Sequence, residues 1–369
     1  MGSESTFKLD RTDATVSGKS TLTPVLVLTP VLVLTGALGA GKTTLLNAAL
    51  KSGAITNAAV VVNEFGAVGI DHALIESSSE DVVLLPGGCV CCQVRADLAE
   101  ALLRLERSVA HGEIPAFERV VIETSGLAEP APILQLFAES PMLVGRYRLD
   151  ALITVIDAVL GAAALAEEGT TFRQALLADR LIVSKSEGVT EEARNFLEAR
   201  LAEINPHAEL LRARRGTAEG AWFGPAPLAG VRTVPADLLR AAHDEAVESF
   251  VLRWEEAQPL AAIGDWLHGL AQTHGARLLR VKGIVAVPED THAVAVHAIQ
   301  HIVAPPEFLA IPAGESRVVF ITRGLEPGDV RPAWPTAAQA APARLRPPAV
   351  PTPIQQPGTN ASSGAAARP

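Results

Sequence analysis

Residues 36–43 have the types and the spacing of a phosphate-binding loop (P-loop). They read Gly-Ala-Leu-Gly-Ala-Gly-Lys-Thr and match the pattern G-x-x-x-x-G-K-[S/T]. Glycines in such a loop let successive backbone N–H groups face an anion, and the following helix adds its dipole. Lys42 is expected to reach the β- and γ-phosphates, and the Thr43 hydroxyl to coordinate Mg²⁺. The residues predicted to contact nucleotide here are Gly36, Gly39, Ala40, Gly41, Lys42, Thr43 and Thr44.

A second acidic group is needed to hold the magnesium-bound water, and the segment 120–126 supplies one. It is an apolar run that ends in Glu123 and is followed three residues later by Gly126. Glu123 is predicted to take this Walker-B role, and the backbone N–H of Gly126 to sense the γ-phosphate. A carboxylate with a purely structural role at a strand end is the alternative, which the P-loop disfavours.

The segment 184–187 lies where a GTPase carries its base-recognition motif, N-K-x-D. It reads Ser-Lys-Ser-Glu, so Ser184 stands in place of Asn and Glu187 in place of Asp. Glu187 keeps the carboxylate that would accept hydrogen bonds from guanine, but one methylene further out. Lys185 would pack its stem along the base. The segment predicts GTP as the nucleotide, against the alternative of an ordinary exposed turn.

All three cysteines of the chain are Cys89, Cys91 and Cys92. In an extended loop, residues 89 and 91 point the same way and Cys92 follows at once, so three thiolates can converge on one ion. Tetrahedral Zn²⁺ with one further ligand or water fits this set, while Cu(I), Co²⁺ and Ni²⁺ stay open. The C-x-x-C redox spacing is absent. A strained disulfide between Cys91 and Cys92, or three inert buried cysteines, are the alternatives to a metal site.

The elements that must position these residues alternate between strand-like and helical runs, which predicts an α/β fold with a mostly parallel sheet. Residues 24–29 and 30–35 both read Pro-Val-Leu-Val-Leu-Thr, and the second copy is predicted to be the core strand because it leads into the P-loop. The other predicted strands are 58–63, 82–85, 119–123, 151–156 and 181–184. The predicted helices are 44–51, 96–110, 132–138, 173–178 and 191–204.

A second, smaller α+β domain is predicted after a stretch rich in Gly, Pro and Ala. Its predicted strands are 250–254, 278–287, 293–302 and 317–322, with a helix over 260–273. Beyond Trp334 the composition is that of a disordered tail. The predicted division is a leader 1–22, a P-loop domain 23–215, a linker 216–245, a second domain 246–334 and a tail 335–369.

The net charge of −10 disfavours nucleic acid or an anionic membrane as the partner of this protein. The apolar stretch 24–35 is too short to span a bilayer and contains Pro30. It also continues directly into the P-loop, which favours a buried strand over a signal peptide. Together with the clustered cysteines, these features predict a cytoplasmic protein.

In their order along the chain, these motifs resemble the CobW-type GTPase metallochaperones. The segments that carry the resemblance in the first domain are 36–43, 63–66, 89–92, 123–126 and 184–187. Those in the second domain are 280–283, 296–301 and 320–325. The resemblance covers about residues 30–334, and the C-x-C-C element is the hallmark of the family.

The resemblance implies a GTP-driven switch that carries a transition metal, commonly zinc, to a client metalloprotein. Members linked to cobalamin synthesis or to nitrile hydratase maturation imply cobalt instead. Glu64 falls in the implied switch region and would contact Mg²⁺ or the carried metal, whereas Ala67 replaces a glutamate that many members have. No arginine finger or water-orienting glutamine is evident after Glu123, which predicts slow intrinsic turnover. A homo-oligomer stays open, as do two rival functions, a small-molecule P-loop kinase and a metal-storage protein.

Overall fold

The structure is a computed structural model, and it describes residues 28–62, 82–86, 94–214, 217–225 and 247–332. The predicted leader and tail lie outside these ranges. So does most of the first copy of the repeated hexapeptide. Glu64, Cys89, Cys91 and Cys92 also lie outside the described residues.

Seven strands of the first domain form one sheet in the order β3-β2-β4-β1-β5-β6-β7. Every neighbouring pair in it is parallel, which confirms the predicted sheet type. The strands are β1 (Thr29–Gly36), β2 (Ala58–Val62), β3 (Val82–Pro86), β4 (Arg119–Glu123), β5 (Tyr147–Asp157), β6 (Arg180–Ser184) and β7 (Glu209–Arg212). The second copy of the hexapeptide therefore forms the core strand, as predicted.

Six described helices connect these strands. They are α1 (Lys42–Lys51), α2 (Val94–Ala110), α3 (Pro130–Glu139), α4 (Gly161–Ala166), α5 (Thr170–Leu177) and α6 (Glu191–Ile204). Alternate residues of β1 enter different cores: Leu32 packs with Leu46 of α1, while Val33 packs with Leu102 of α2. Helices on both faces explain why the strands are continuous apolar runs rather than alternating ones.

The second domain is an antiparallel sheet covered by one long helix. Its sheet has the strand order β11-β10-β9-β13-β8, with β12 also paired to β10. The strands are β8 (Val247–Trp254), β9 (Leu278–Val285), β10 (His292–Ile299), β11 (Ile302–Val303), β12 (Glu307–Pro312) and β13 (Ser316–Arg323). Helix α7 (Leu260–His274) packs Ile263 and Leu267 against Val281 and Phe320, and a short α8 (Pro327–Val330) follows. This arrangement confirms the smaller α+β unit.

Several elements of the structure differ from the sequence patterns. The short elements β7, α4 and β12 were not predicted, because four to six residues give too little periodicity to recognise. The run predicted as one strand over 293–302 is two strands, β10 and β11, which a turn at Gln300 with φ of 53° separates.

The start of the predicted linker belongs to the packing of the first domain. Residues Gly220–Phe223 form a 3₁₀ helix, and Trp222 and Phe223 are only 5% and 1% exposed within the core that contains α1. Arg180 donates hydrogen bonds to the carbonyls of Trp222, Gly224 and Pro225. The prediction that residues 217–225 belong to a linker is therefore wrong. The Gly and Ala content of the segment suggested a free chain, but the burial of two aromatic rings holds it to the domain.

The two domains meet through buried charges at the amino ends of the parallel strands. Asp179, just before β6, accepts hydrogen bonds from Arg280 at 2.9 Å and from Lys282 at 2.7 Å, both on β9. Burial alone would raise the pKa of Asp179, but the two cations hold it well below its usual range. Ile299 packs in the core beneath α3, and Gln135 of α3 donates to Gln300 at 2.9 Å.

Candidate nucleotide-binding site

The candidate site lies at the carboxyl edge of the parallel sheet, where β1, β4, β5 and β6 end next to one another. The P-loop follows β1, and Glu123, Asp157 and Ser184 are the last residues of β4, β5 and β6. Ligands of open α/β sheets bind outside the carboxyl ends of the strands, because the loops there converge. The topology thus brings together three motifs that are far apart in sequence.

The P-loop depends on glycine at three positions. Gly36, Gly39 and Gly41 have φ angles of 137°, 73° and 96°, which L-residues with a side chain rarely adopt. A Cβ on Gly36 would also lie 2.2 Å from the carbonyl oxygen of Val155. Helix α1 begins directly after Gly41, so its first N–H groups and its dipole point toward the loop. The result is an anion-binding concavity built from backbone.

Lys42 is buried although it carries a charge. Its Nζ donates to the carbonyls of Gly36 at 3.0 Å and Ala37 at 3.1 Å. The side chain therefore runs back along the loop whose N–H groups would cradle the phosphates. An ammonium group in this position can exchange neutral carbonyl acceptors for phosphate oxygens, which are stronger acceptors.

Thr43 and Glu123 form the closest contact between the P-loop and β4. The Thr43 hydroxyl donates to Oε1 of Glu123 at 2.6 Å, and Glu123 is buried. The next residue, Thr124, donates its backbone N–H to the carbonyl of Leu34 and its hydroxyl to the hydroxyl of Thr35. A hydroxyl and a carboxylate side by side are hard oxygen donors of the kind that Mg²⁺ prefers. The pair fits a magnesium ion, which would neutralise phosphate charge.

Gly126 lies against the backbone of the P-loop. A Cβ at this position would be 2.2 Å from the nitrogen and 2.5 Å from the Cα of Leu38. Only glycine fits there, so a movement of the P-loop would also displace the turn after Glu123. The role of Gly126 as a sensor of the γ-phosphate stays a prediction.

The residues predicted to recognise the base contact the P-loop from its other side. The Ser184 hydroxyl donates to the Ala40 carbonyl at 2.6 Å. Lys185, in the left-handed region with φ of 54°, donates from Nζ to the Gly39 carbonyl at 2.7 Å. Serine in place of asparagine therefore still ties β6 to the P-loop.

Asp157 completes this side of the site, and the sequence patterns did not identify it. Its Oδ2 accepts from Lys185 Nζ at 2.6 Å, and its Oδ1 accepts the backbone N–H of Val159 at 2.8 Å. The carboxylate fixes the lysine beside the loop. An acidic residue at the end of the apolar run 151–156 was the available signal.

Glu187 is exposed in the 3₁₀ helix Ser186–Gly188 and faces solvent, where its carboxylate is accessible to a nucleotide base.

The strands that precede the predicted metal ligands end at the same edge of the sheet. Val62 at the end of β2 is opposite Glu123 on one side and Pro86 at the end of β3 on the other. In the sequence, Glu64 follows the last residue of β2 by two positions and Cys89 follows the last residue of β3 by three. Among the residues that the structure describes, no group of three or more His, Cys, Asp or Glu side chains could hold a metal. No described helix is long and apolar enough to cross a bilayer.

Two family models match the chain. Residues 30–212 match the nucleotide-binding domain of CobW/HypB/UreG. Residues 247–338 match the C-terminal domain of the cobalamin synthesis protein CobW. The two matched regions contain the parallel sheet and the antiparallel sheet, respectively.

Relatives from bacteria and fungi are similar over much of the chain. The zinc chaperone YjiA of Escherichia coli is 32% identical over 272 residues, which span 72% of this chain and 85% of YjiA. The zinc-regulated GTPase metalloprotein activator 1 of Schizosaccharomyces pombe is 35% identical over 208 residues, 54% of this chain and 48% of that protein. The crystal structure of Zn(II)-bound YjiA GTPase from E. coli superposes with a TM-score of 0.61 at 25% identity, covering 82% of this chain and 97% of that one.

Proposed function

The chain belongs to the CobW/HypB/UreG family, and from this membership we propose that it is a GTP-hydrolysing metallochaperone that delivers zinc to a client metalloprotein. The observation that carries the proposal is the register of β3, β2 and β4. It ends β2 and β3, the strands that Glu64 and the cysteines follow in the sequence, at the edge where Glu123 accepts from Thr43. In this proposal, nucleotide chemistry and metal binding share that edge of the sheet.

Each residue of the nucleotide site has a role in this proposal. Lys42 and the P-loop N–H groups bind the phosphates and stabilise the charge that develops during transfer. Thr43 and Glu123 hold Mg²⁺, which supplies charge neutralisation when it is bound. Gly126 reports the state of the γ-phosphate through its contact with Leu38. Ser184, Lys185 and Glu187 select guanine.

The carried metal is held by Cys89, Cys91 and Cys92, with Glu64 as a further contact to the metal or to Mg²⁺. Three thiolates favour zinc over magnesium or calcium. Two of the relatives named above carry zinc in their names, which supports zinc over cobalt as the cargo. The protein works in the cytoplasm, where thiols stay reduced, and its partner is a client protein rather than nucleic acid or membrane.

GTP turnover of the purified protein, with and without stoichiometric Zn²⁺ or Co²⁺, tests the proposal. The matched variant replaces all three thiols, Cys89→Ser, Cys91→Ser and Cys92→Ser. We expect metal to change turnover in the parent and not in the variant, with the more effective ion identified as the cargo. Equal turnover with and without metal in both proteins would mean that the metal and nucleotide sites are independent, which would contradict the chaperone role. ATP in place of GTP tests the base selectivity of Ser184 and Glu187.

A further inference from the structure

Gln174 is a polar side chain in an otherwise apolar position. It lies in α5, is 0% exposed, and has Ala175, Leu176 and Leu177 as its buried neighbours in the same helix. Its backbone carbonyl accepts a hydrogen bond from the buried hydroxyl of Thr154 at 2.8 Å, which fixes α5 to β5. The helix that carries the side chain is therefore anchored to the sheet.

The carboxamide of Gln174 is directed at the turn that follows Glu123. Its Nε2 donates to the carbonyl of Ala128 at 3.0 Å and is 3.5 Å from that of Gly126. The same turn is pressed against Leu38 at Gly126 and joined to the P-loop through Glu123 and Thr43. Gln174 thus contacts the turn from helix α5.

A neighbouring contact holds the end of this turn to the same helix. Arg173 donates from Nε to Oε2 of Glu129 at 2.8 Å and from Nη2 to Oε1 at 2.5 Å. Paired parallel bonds of this kind fix both distance and orientation. Helix α5 therefore contacts the turn at positions 126, 128 and 129.

Fold stability alone does not account for a glutamine at position 174. Within the described part of the chain, its Oε1 is buried without a hydrogen-bond partner. Burial of an unpaired polar atom costs stability, and an apolar side chain of similar volume would avoid that cost but would leave the Gly126 and Ala128 carbonyls without this donor. What the glutamine adds is a donor to the 126–128 carbonyls.

We infer that Gln174 is a positioning residue for GTP hydrolysis: its carboxamide holds the Gly126–Ala128 turn against the P-loop. In this position, the turn keeps Glu123 beside Thr43 and the Gly126 N–H beside the γ-phosphate. This inference rests on the proposed GTPase function. It extends that function to a residue that touches neither nucleotide nor metal.

Steady-state GTP turnover of Gln174→Met tests the inference, because methionine keeps the volume and removes the donor. We expect kcat to fall about 10- to 100-fold, since a small misplacement of a reacting group has such an effect, with KM within about twofold. Gln258→Met is the matched control, because Gln258 is also buried and donates to a backbone carbonyl, that of Glu256 at 3.3 Å, but in the second domain. The control is expected to keep the parental kcat.

A second variant, Gln174→Glu, gives a readout that a merely structural role would not move. Burial raises the pKa of a carboxyl group, and only its neutral form can donate to the Ala128 carbonyl. Its turnover relative to the parent should therefore recover as the pH falls from about 8 to about 6. A kcat within about twofold of the parent for both variants, with no such recovery, would overturn the inference.

Hydrogen exchange separates this inference from the proposed function. With a non-hydrolysable GTP analogue bound, the amides of residues 124–129 should exchange faster in Gln174→Met than in the parent. If the parent itself fails to hydrolyse GTP, the proposed function is wrong. Equal exchange of these amides in Gln174→Met and in the parent would overturn the positioning role, whether or not the parent hydrolyses GTP.

Discussion

The two edges of the parallel sheet use charge in different ways. At the carboxyl edge, the cations Lys42 and Lys185 donate to neutral carbonyls of the P-loop, Glu123 accepts from a hydroxyl, and Lys185 also pairs with Asp157 of the same domain. At the amino edge, the carboxylate of Asp179 is bound by two cations from the other domain. The first set of contacts lies within loops of one domain, while the second crosses between domains.

This difference indicates that the carboxyl edge serves function, whereas the amino edge is structural and stabilises the fold. A carbonyl or hydroxyl partner can be exchanged for a phosphate oxygen or a metal at little cost, because the partner left behind is neutral. A buried carboxylate cannot be released from its cations without leaving uncompensated charge. Changes at the amino edge should therefore affect stability, and changes at the carboxyl edge should affect turnover.

Asp179→Asn should have the largest effect, and it should be an effect on stability. The change removes the carboxylate that accepts from the buried Arg280 and Lys282, which costs about 3–5 kcal/mol of unfolding free energy. Denaturant unfolding measures it, with Asp265→Asn as the control, because Asp265 is exposed on α7. A loss below about 1 kcal/mol would show that the amino edge is not the structural one.

Lys42→Ala should come next and should leave stability nearly unchanged. Loss of the ammonium removes a phosphate contact and a stabiliser of the transferring charge. A reduction of kcat/KM for GTP by about 10²- to 10³-fold is expected. The exposed Lys51 at the end of the same helix provides the control, Lys51→Ala. If Lys42→Ala kept the turnover of the parent, the P-loop would have no role in hydrolysis.

Gly126→Ala should lower turnover by a smaller factor. Its Cβ would lie 2.2 Å from the nitrogen of Leu38, so the turn or the P-loop must shift. We expect kcat/KM to fall about 10- to 100-fold. Gly264→Ala in α7 adds a Cβ with nothing within 4 Å and should leave turnover unaltered. Similar kinetics for the two alanine variants would mean that the turn is not tightly coupled to the loop.

The pH dependence of stability should show the smallest effect over any one pH unit. Burial, with the charges of Lys282 and Arg280, lowers the pKa of His297 from 6.5 to about 3, while Asp179 acts in the opposite direction. The unfolded chain then binds more protons than the folded one between these values. Stability should fall as the pH drops below about 6.5, by at most about 1.4 kcal/mol per pH unit from this residue. His297→Asn should reduce the slope measured by denaturant unfolding, and the exposed control His268→Asn should not.

The sequence was sufficient for the parts of the site that are contiguous motifs. The P-loop, the strand that precedes it and the carboxylate of Glu123 are each defined by neighbouring residues, and the structure brings Thr43 and Glu123 to 2.6 Å. The contacts of Asp157 with Lys185 and of Gln174 with Ala128 could not be predicted. They join residues that only the strand order and the helix packing bring together.

The missed residues share one local feature that could have identified them. Asp157 ends an apolar strand, and Gln174 directly precedes the apolar residues Ala175, Leu176 and Leu177 of α5. A buried polar residue at the end of such a run needs a partner elsewhere. Which partner it has depends on tertiary structure, just as the burial of Trp222 depends on a core that the composition of its own segment does not reveal.

Zinc affinity in two nucleotide states tests the central claim that the metal and nucleotide sites are coupled through the carboxyl edge. A competition titration with a chromogenic chelator would compare the protein bound to GDP with the protein bound to a non-hydrolysable GTP analogue. We predict affinity tighter by at least about fivefold in the GTP-analogue state, the lower end of ordinary coupling, and no difference in the variant that lacks the three cysteines. Equal zinc affinity in both nucleotide states of the parent would contradict the account.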